Sequence, residues 1–278
     1  MDAQRAASLA RLAFGGMRAS VGIRARDEAG AIGRTLDRLA AQSAAHEVIV
    51  VDSGSRDGTE AIAARRGARV LTVEPARFSF GRALNAGCAE AAAPVIVALS
   101  AHALPPDEGW LERMVQRVAG ERVACAYGEV RGEDGAPLRA PVRQDAAMLE
   151  RNPYWGYSNA AGGFRAALWQ ERPFREDMPG TEDREWSRWA LSRGLVCVLD
   201  PALAVEHDHS REPLRACFRR WEREHRGFAM FLELPPYRAR DVLAEWWGDQ
   251  GWHRSRARAR LDPRRMARLA GKWWGRRA

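Results

Sequence analysis

Residues able to do chemistry recur in this chain where short apolar runs stop. Arg26, Asp27 and Glu28 follow Val21 to Ile23, Asp52 and Ser53 follow Val48 to Val51, and Ser100, Ala101 and His102 follow Val95 to Leu99. A fourth group, Glu182, Asp183 and Glu185, comes after a Pro-Gly-Thr turn, and His207, Asp208 and His209 make a fifth. A carboxylate within hydrogen-bond reach of a hydroxyl can take its proton as that oxygen attacks. Two histidines flanking an aspartate either ligate a metal or close a hydrogen-bonded loop. Arg82 opens a helical stretch and works against the helix dipole unless an anion accompanies it, so it is either a diphosphate contact or a solvated cation.

The elements that position these groups follow from periodicity. Val48 to Val51 and Val95 to Leu99 are apolar at consecutive positions, as strands buried on both faces of a parallel sheet are. Asp57 with Glu60 predicts the cap of a helix that Gly67 ends. Asp52 then stands at a strand's carboxyl end, where open α/β sheets bind ligands, although a plain turn-forming role suits it too. Ile32, Leu36 and Leu39 repeat at helical spacing, as do Trp110, Met114, Val115 and Val118. Further strands are expected over Arg69 to Val73, Val123 to Val130, Leu195 to Leu199 and Ala202 to Val205. Gly132 to Gly156 reads as loop, ending in Tyr154, Trp155 and Tyr157, and Ser158 to Phe164 is small enough for a close backbone approach. Thr181 is expected to cap a helix whose first turn holds Glu182, Asp183 and Glu185 and whose buried face holds Trp186, Trp189 and Ala190. Successive strand and helix units predict an α/β fold with a mostly parallel sheet flanked by helices.

Three segments are expected: a leader over 1–20, the α/β domain over 21–210, and a helical, basic, tryptophan-containing region over 211–278. Arg5, Arg11 and Arg18 interrupt the apolar pieces of the leader, so no signal-peptide core is expected there. The 278 residues are 46% hydrophobic with a formal net charge of +8, which excludes a disordered chain and points to anionic partners. Four widely spaced cysteines without a CxxC pair fit reduced thiols in a cytoplasmic protein. In the last segment, Trp252, Trp273 and Trp274 among arginines suit either a membrane interface or a solvated face that packs its tryptophans inward.

Together, IRARDEAG, VVDSGSRDGT, FGRALNAG, LSAHALP and PGTEDREW, in that order, resemble the family 2 glycosyltransferases of inverting GT-A type. The likeness is to bacterial, rhamnosyltransferase-like enzymes that build surface polysaccharides, and it covers roughly Val21 to His209. The resemblance implies a Rossmann-like GT-A domain holding a UDP- or dTDP-linked sugar donor and acting on a saccharide or lipid-linked acceptor. It assigns the donor to Arg26, Asp27, Glu28, Asp52, Ser53, Arg82, Asn85, Ser100, Ala101 and His102. Asp183 matches the catalytic base, with Glu182 beside it, and Tyr154, Trp155 and Trp186 are placed on the acceptor and sugar side.

One departure stands out. The usual Asp-x-Asp that binds Mg²⁺ or Mn²⁺ is Ser100-Ala101-His102 here. Imidazole suits Mn²⁺ better than Mg²⁺, and His207 falls where members of this fold place a metal-side histidine. Three readings stay open: a Mn²⁺-type site on His102 and His207, a metal-independent enzyme whose cations are arginines, and a degenerate transferase. Two other classes compete with the enzyme: a protein that binds anionic polymers through the basic region, and a nucleotidyltransferase. The first lacks any recognised nucleic-acid module, so no nucleic-acid partner is expected. The second lacks a glycine-rich triphosphate loop ending in lysine. The expected location is cytoplasmic, at the inner face of the cell membrane if the basic region binds lipid.

Overall fold

The computed structural model describes residues 18–131, 136–207, 212–248 and 262–277. The expected leader up to residue 17, Gly132, Asp208, His209, Trp252 and the basic run 254–261 lie outside them. The chain divides into two compact units: residues up to Glu176 with Asp183–His207, and Asp177–Glu182 with the residues from 208 onward.

In the first unit, β1 (Ala19–Ala25), β2 (His46–Asp52), β3 (Arg69–Thr72) and β4 (Val95–Ser100) are the apolar runs of the sequence. They belong to an eight-stranded sheet completed by β5 (Val123–Gly128), β6 (Val142–Gln144), β7 (Ala161–Arg165) and β8 (Val196–Asp200), in the order β3-β2-β1-β4-β7-β5-β8-β6. The pairs β1–β2, β1–β4, β2–β3 and β5–β8 are parallel. The small segment before Phe164 is β7, which enters antiparallel between β4 and β5. The sheet is thus mixed: a parallel block of β3, β2, β1 and β4, and a second parallel pair, β5–β8, on the far side of the antiparallel β7.

Alternation along each strand sends side chains to two cores. Ile23, Val50 and Val97 meet Ile32, Leu36 and Leu39 of α1 (Ile32–Ala40), Ala63 of α2 (Thr59–Arg65) and Trp110, Met114 and Val118 of α4 (Trp110–Val118). On the opposite face, Ile49 and Val51 pack on Ala83 of α3 (Phe80–Ala89). That face continues as an aromatic core of Tyr157, Phe164, Phe174 and Trp186, the last from α7 (Glu182–Ser192). Burying each such ring stabilises the fold by about 1.5–3 kcal/mol.

Several boundaries differ from the sequence reading. Strand β1 starts at Ala19, so the sheet takes in the end of the supposed leader. Helix α2 is capped by Gly58 at φ 93 with no side-chain cap, while Asp57 Oδ1 accepts the Thr59 N–H at 3.0 Å. The loop around residue 145 contains β6 and a short helix, α5 (Ala146–Arg151), whose N-cap is Asp145; α6 (Ala166–Glu171) follows β7. Ala202–Val205 is not a strand. Pro201 and the Asp200 carboxylate, which accepts the Ala202 N–H, start a 3₁₀ turn over Pro201–Leu203. Cys88, Cys125, Cys197 and Cys217 are buried free thiols.

The second unit contains three described helices, α8 (Leu214–Ala229), α9 (Ala239–Gly248) and α10 (Pro263–Gly275). Helix α10 lies on α8 through glycine: a Cβ on Gly271 would stand 2.5 Å from the Phe218 carbonyl oxygen. Among the described residues, no helix is long and apolar enough to cross a membrane.

Candidate active site

The chain runs β1 to β3 toward one edge and then returns to place β4 on the other side of β1. That reversal is the topological switch point, and ligands of open α/β sheets bind beyond the strand ends there. Register sets Ala25 beside Asp52 and Arg24 beside Ser100. Arg26-Asp27-Glu28, Ser53 and Ala101-His102 therefore leave the sheet together.

The first two loops are stitched to each other. The Asp27 N–H donates to Ser55 Oγ at 2.8 Å, the Arg56 N–H to Asp27 Oδ1 at 2.9 Å, and the Ala29 N–H to Asp57 Oδ2 at 2.8 Å. Asp27 takes φ 54, a left-handed conformation in which a non-glycine residue is uncommon but aspartate is enriched. Hydrogen bonds from the Thr59 hydroxyl first, and then from the Ala29 and Thr59 N–H groups, hold the Asp57 carboxyl below the usual carboxylate range. Asp52 is 1% exposed and turns into its own loop: Oδ1 accepts the Gly54 and Ser55 N–H groups, both at 2.8 Å, and Oδ2 accepts the Ser55 hydroxyl. Of the two roles open to Asp52, this geometry displays the turn-forming one. Ser53 is equally buried, its N–H given to the Ala25 carbonyl at 3.0 Å.

His102 and His207 do come together. Leu104 and Glu206 exchange both backbone hydrogen bonds, at 3.0 and 3.1 Å, and this one-residue bridge brings the segment after β8 to the end of β4. The imidazoles stack with centroids 4.8 Å apart and their Nε2 atoms 2.9 Å apart. Behind them Glu28 Oε1 meets His102 Nδ1 at 3.0 Å. A carboxylate there selects the tautomer whose Nε2 lone pair faces His207. Ala101 is buried and gives its carbonyl oxygen to the Thr35 hydroxyl at 2.8 Å, and the Ser100 N–H bonds Ala160 O at 2.8 Å, so the motif's backbone is fixed from both sides.

As they stand, the two Nε2 atoms share an N–H···N hydrogen bond at 2.9 Å, with His102 accepting; with that proton removed, the same two nitrogens are close enough to be adjacent ligands of one ion. Among the described residues no three His, Cys, Asp or Glu side chains gather to hold a metal by themselves. The pair therefore fits an ion whose shell is completed by ligand oxygens, as in sites shared with substrate phosphates.

Asp183, near the start of α7, has its carboxylate aimed by main chain: Oδ2 accepts the Asn159 N–H at 2.9 Å and Oδ1 the Arg184 N–H at 2.8 Å. Asn159, which precedes β7, was not anticipated. It acts through its backbone, and the only signal of it was the small-residue character of its segment. Arg184 donates to the Gly156 carbonyl and ties the aromatic loop to the same helix. Glu182 is 3% exposed.

Three expected ligand contacts have protein partners. Arg82 donates to Glu176 at 2.8 Å, which supplies the anion its place on α3 requires. Asn85 donates to Phe174 O and Glu176 Oε1 and accepts from Trp169 Nε1 and the Phe174 N–H, so its amide is engaged on both sides as a strap for residues 169–176. Trp186 is fully buried, with Nε1 bonded to Arg172 O at 2.7 Å; a ring in the core cannot touch an acceptor, and its place on the sugar side is corrected. Trp155 packs on that aromatic core and Tyr154 is half-buried. Thr181 is not in the extended conformation of an N-cap: its φ is 64 and its hydroxyl donates to Gly180 O at 2.6 Å.

The switch point in a mixed sheet flanked by helices defines an open α/β ligand-binding fold, and comparison with known proteins narrows it to one family. The family model described as glycosyl transferase family 2 matches residues 20–197, and the chain belongs to that family. Among solved structures, a mannosyltransferase of Pyrobaculum calidifontis in complex with GDP-Man and Mn²⁺ covers 91% of this chain and 74% of its own, at 23% identity and TM-score 0.62. Glucosyl-3-phosphoglycerate synthase of Mycobacterium tuberculosis, with Mn²⁺, UDP and its glucosyl product, covers 74% and 76% at 21% identity and TM-score 0.53. These likenesses show the GT-A fold. An uncharacterized glycosyltransferase of M. tuberculosis is 40% identical over 77 residues, 28% of this chain, and the chain spans about a third of that relative's length.

Proposed function

We propose that the protein is an inverting glycosyltransferase that moves a sugar from a UDP- or dTDP-linked donor to a hydroxyl of a saccharide or lipid-linked acceptor in cell-envelope polysaccharide synthesis. The observation that carries the reading is the convergence on one point of Glu28 after β1, His102 after β4 and His207 after β8. Solved structures of this fold hold GDP-Man with Mn²⁺ and UDP-glucose with Mn²⁺.

In this reading the nucleotide lies over the stitched loops after β1 and β2. His102 and His207 hold a divalent cation, Mn²⁺ rather than Mg²⁺ by the softness of imidazole. When bound, that ion offsets the charge that develops on the departing nucleoside diphosphate. Glu28 keeps His102 in the tautomer that presents Nε2. Asp183, held by the Asn159 and Arg184 N–H groups, accepts the proton of the acceptor hydroxyl while that oxygen forms its bond to the anomeric carbon. The bond from that carbon to the diphosphate breaks in the same step, which inverts the configuration. The second unit supports binding to an anionic membrane at the inner face of the cell membrane. Leu243 and Trp247 on α9, and Met266 and Trp274 on α10, are exposed, and Arg277 lies over the Trp274 ring.

The test is the thermal midpoint of the purified protein against UDP, dTDP and GDP, each with Mn²⁺, Mg²⁺ or chelator, because ligands of the folded state raise it. A rise with one nucleotide that depends on Mn²⁺ is expected. No rise under any condition overturns the reading and favours binding of anionic polymers.

A further inference from the structure

The segment that leads into Glu182 and Asp183 is gripped by a helix of the C-terminal unit. Helix α8 presents Gly227 to residues 180 and 181, and a Cβ at that position would overlap the Gly180 carbonyl oxygen and Thr181 Oγ1. No side chain larger than hydrogen fits there. One turn earlier on the same face, the Arg223 stem lies beside Gly180. The residue so enclosed is strained: Thr181 is β-branched yet sits at φ 64, and its hydroxyl donates back to Gly180 O at 2.6 Å. Such a conformation persists where its surroundings over-determine it, and strain of this kind collects at sites whose geometry is used. Two residues on, Asp183 needs one orientation to accept the Asn159 N–H.

We propose that Gly227 and Thr181 are positioning residues for the base: backbone contact with α8 locks Thr181 left-handed, and that lock sets the direction in which the chain enters α7 and hence the aim of the Asp183 carboxylate. The inference rests on the transferase reading for its kinetic consequence and on the Asp183–Asn159 hydrogen bond for its structural one. A merely structural account predicts something else, since α8 also uses glycine contact elsewhere. Gly271 of α10 meets α8 in the same tight manner, its nearest neighbours being Phe218, Trp221 and Glu222 rather than residues 180 and 181. Gly271→Ala is therefore the control for loss of α8 packing.

The experiment compares Gly227→Ala, Gly271→Ala and Thr181→Gly in the full chain. It uses hydrolysis of UDP-glucose, dTDP-glucose and GDP-mannose with Mn²⁺, and amide exchange at Asn159. Both alanine variants lower the thermal midpoint, but only Gly227→Ala lowers kcat, tenfold or more, with KM for the donor within twofold of the parent. Thr181→Gly, which removes the strain, keeps or raises the midpoint and still lowers kcat, and it decides the matter if Gly227→Ala does not fold. Asn159 loses exchange protection in Gly227→Ala and Thr181→Gly and keeps it in Gly271→Ala. Equal kcat losses in the two alanine variants, or parental kcat in Thr181→Gly, overturn the proposal. If the parent hydrolyses none of the donors, the transferase reading is what has failed, and the exchange pattern at Asn159 alone supports or overturns the positioning role.

Discussion

His207 Nε2 stands 2.9 Å from His102 Nε2 across 105 positions of sequence, with Glu28 on the far nitrogen of His102. In the proposed cation site each imidazole would supply one nitrogen, so neither would suffice without the other. His102→Ala and His207→Ala should each abolish the Mn²⁺-dependent part of nucleotide stabilisation and leave the metal-free midpoint within a few degrees of the parent. Glu28→Gln should weaken Mn²⁺ binding by roughly 10–100-fold, the usual cost of removing a group that orients a ligand. His102→Asp restores a carboxylate to the motif and should move the preference toward Mg²⁺. Titration of midpoint against each metal in the presence of UDP reads all four variants, and parental Mn²⁺ dependence in His207→Ala would exclude the shared site.

Asp183→Asn keeps the side chain's shape and its capacity to accept from Asn159 but cannot take a proton. It should lower kcat by about 10²–10⁴-fold, the range of a general base. Nucleotide affinity, measured by the thermal midpoint with UDP and Mn²⁺, should not change. Parental kcat in this variant would mean that another group deprotonates the acceptor.

His225 makes the C-terminal unit sensitive to acid. It is 4% exposed, stacked on Trp221 at 5.7 Å and against Phe228 at 5.8 Å. Burial first, then Lys272 and Arg276, hold its pKa down to about 3. The unfolded chain takes up this proton below about pH 6.5 and the folded chain only near 3, so the unfolded state binds more protons between them. The stabilisation is complete above pH 6.5 and is lost as pH falls toward 3, at up to about 1.4 kcal/mol per pH unit. His225→Phe should flatten that slope. The comparison is denaturant unfolding of parent and variant from pH 7 to 4, where surface carboxylates titrate alike in both; equal slopes would show that His225 is protonated in the folded state.

Runs such as Val48 to Val51 were legible because a strand buried on both faces must be apolar at every position, and that pattern survives in a single sequence. The histidine pair was legible only through the order of motifs, since spacing alone cannot foretell the Leu104–Glu206 bridge that joins its halves. Arg82 shows the limit. Its sequence neighbours say that an anion must be near, but Glu176 lies 94 positions away in a loop without periodicity. Asn159 was hidden for another reason: its contribution to Asp183 is a main-chain N–H, which every residue but proline carries and no letter marks. For Trp186, helical spacing placed the ring on the buried face, where it is, and only the family resemblance put it on the sugar side. The tightly packed rings of Phe164 and Phe174, 5.5 Å from its own, decide for the core.

Trp247 and Trp274, 61% and 53% exposed, bear on the membrane reading of the second unit. Arg277 lies 4.0 Å over the Trp273 ring and 4.9 Å from Trp274, so a cation and an indole face are presented together. Indoles settle among lipid head groups while cations meet anionic ones, each basic residue adding about 1 kcal/mol near a negative surface. The protein should therefore sediment with vesicles containing phosphatidylglycerol and not with phosphatidylcholine alone. Trp247→Ala combined with Trp274→Ala should weaken that binding about tenfold or more, and Arg277→Gln should reduce its sensitivity to salt. Donor hydrolysis by the double variant should stay at the parental rate. Equal partition of parent and double variant would show that the indoles do not enter the bilayer and that charge alone drives the binding.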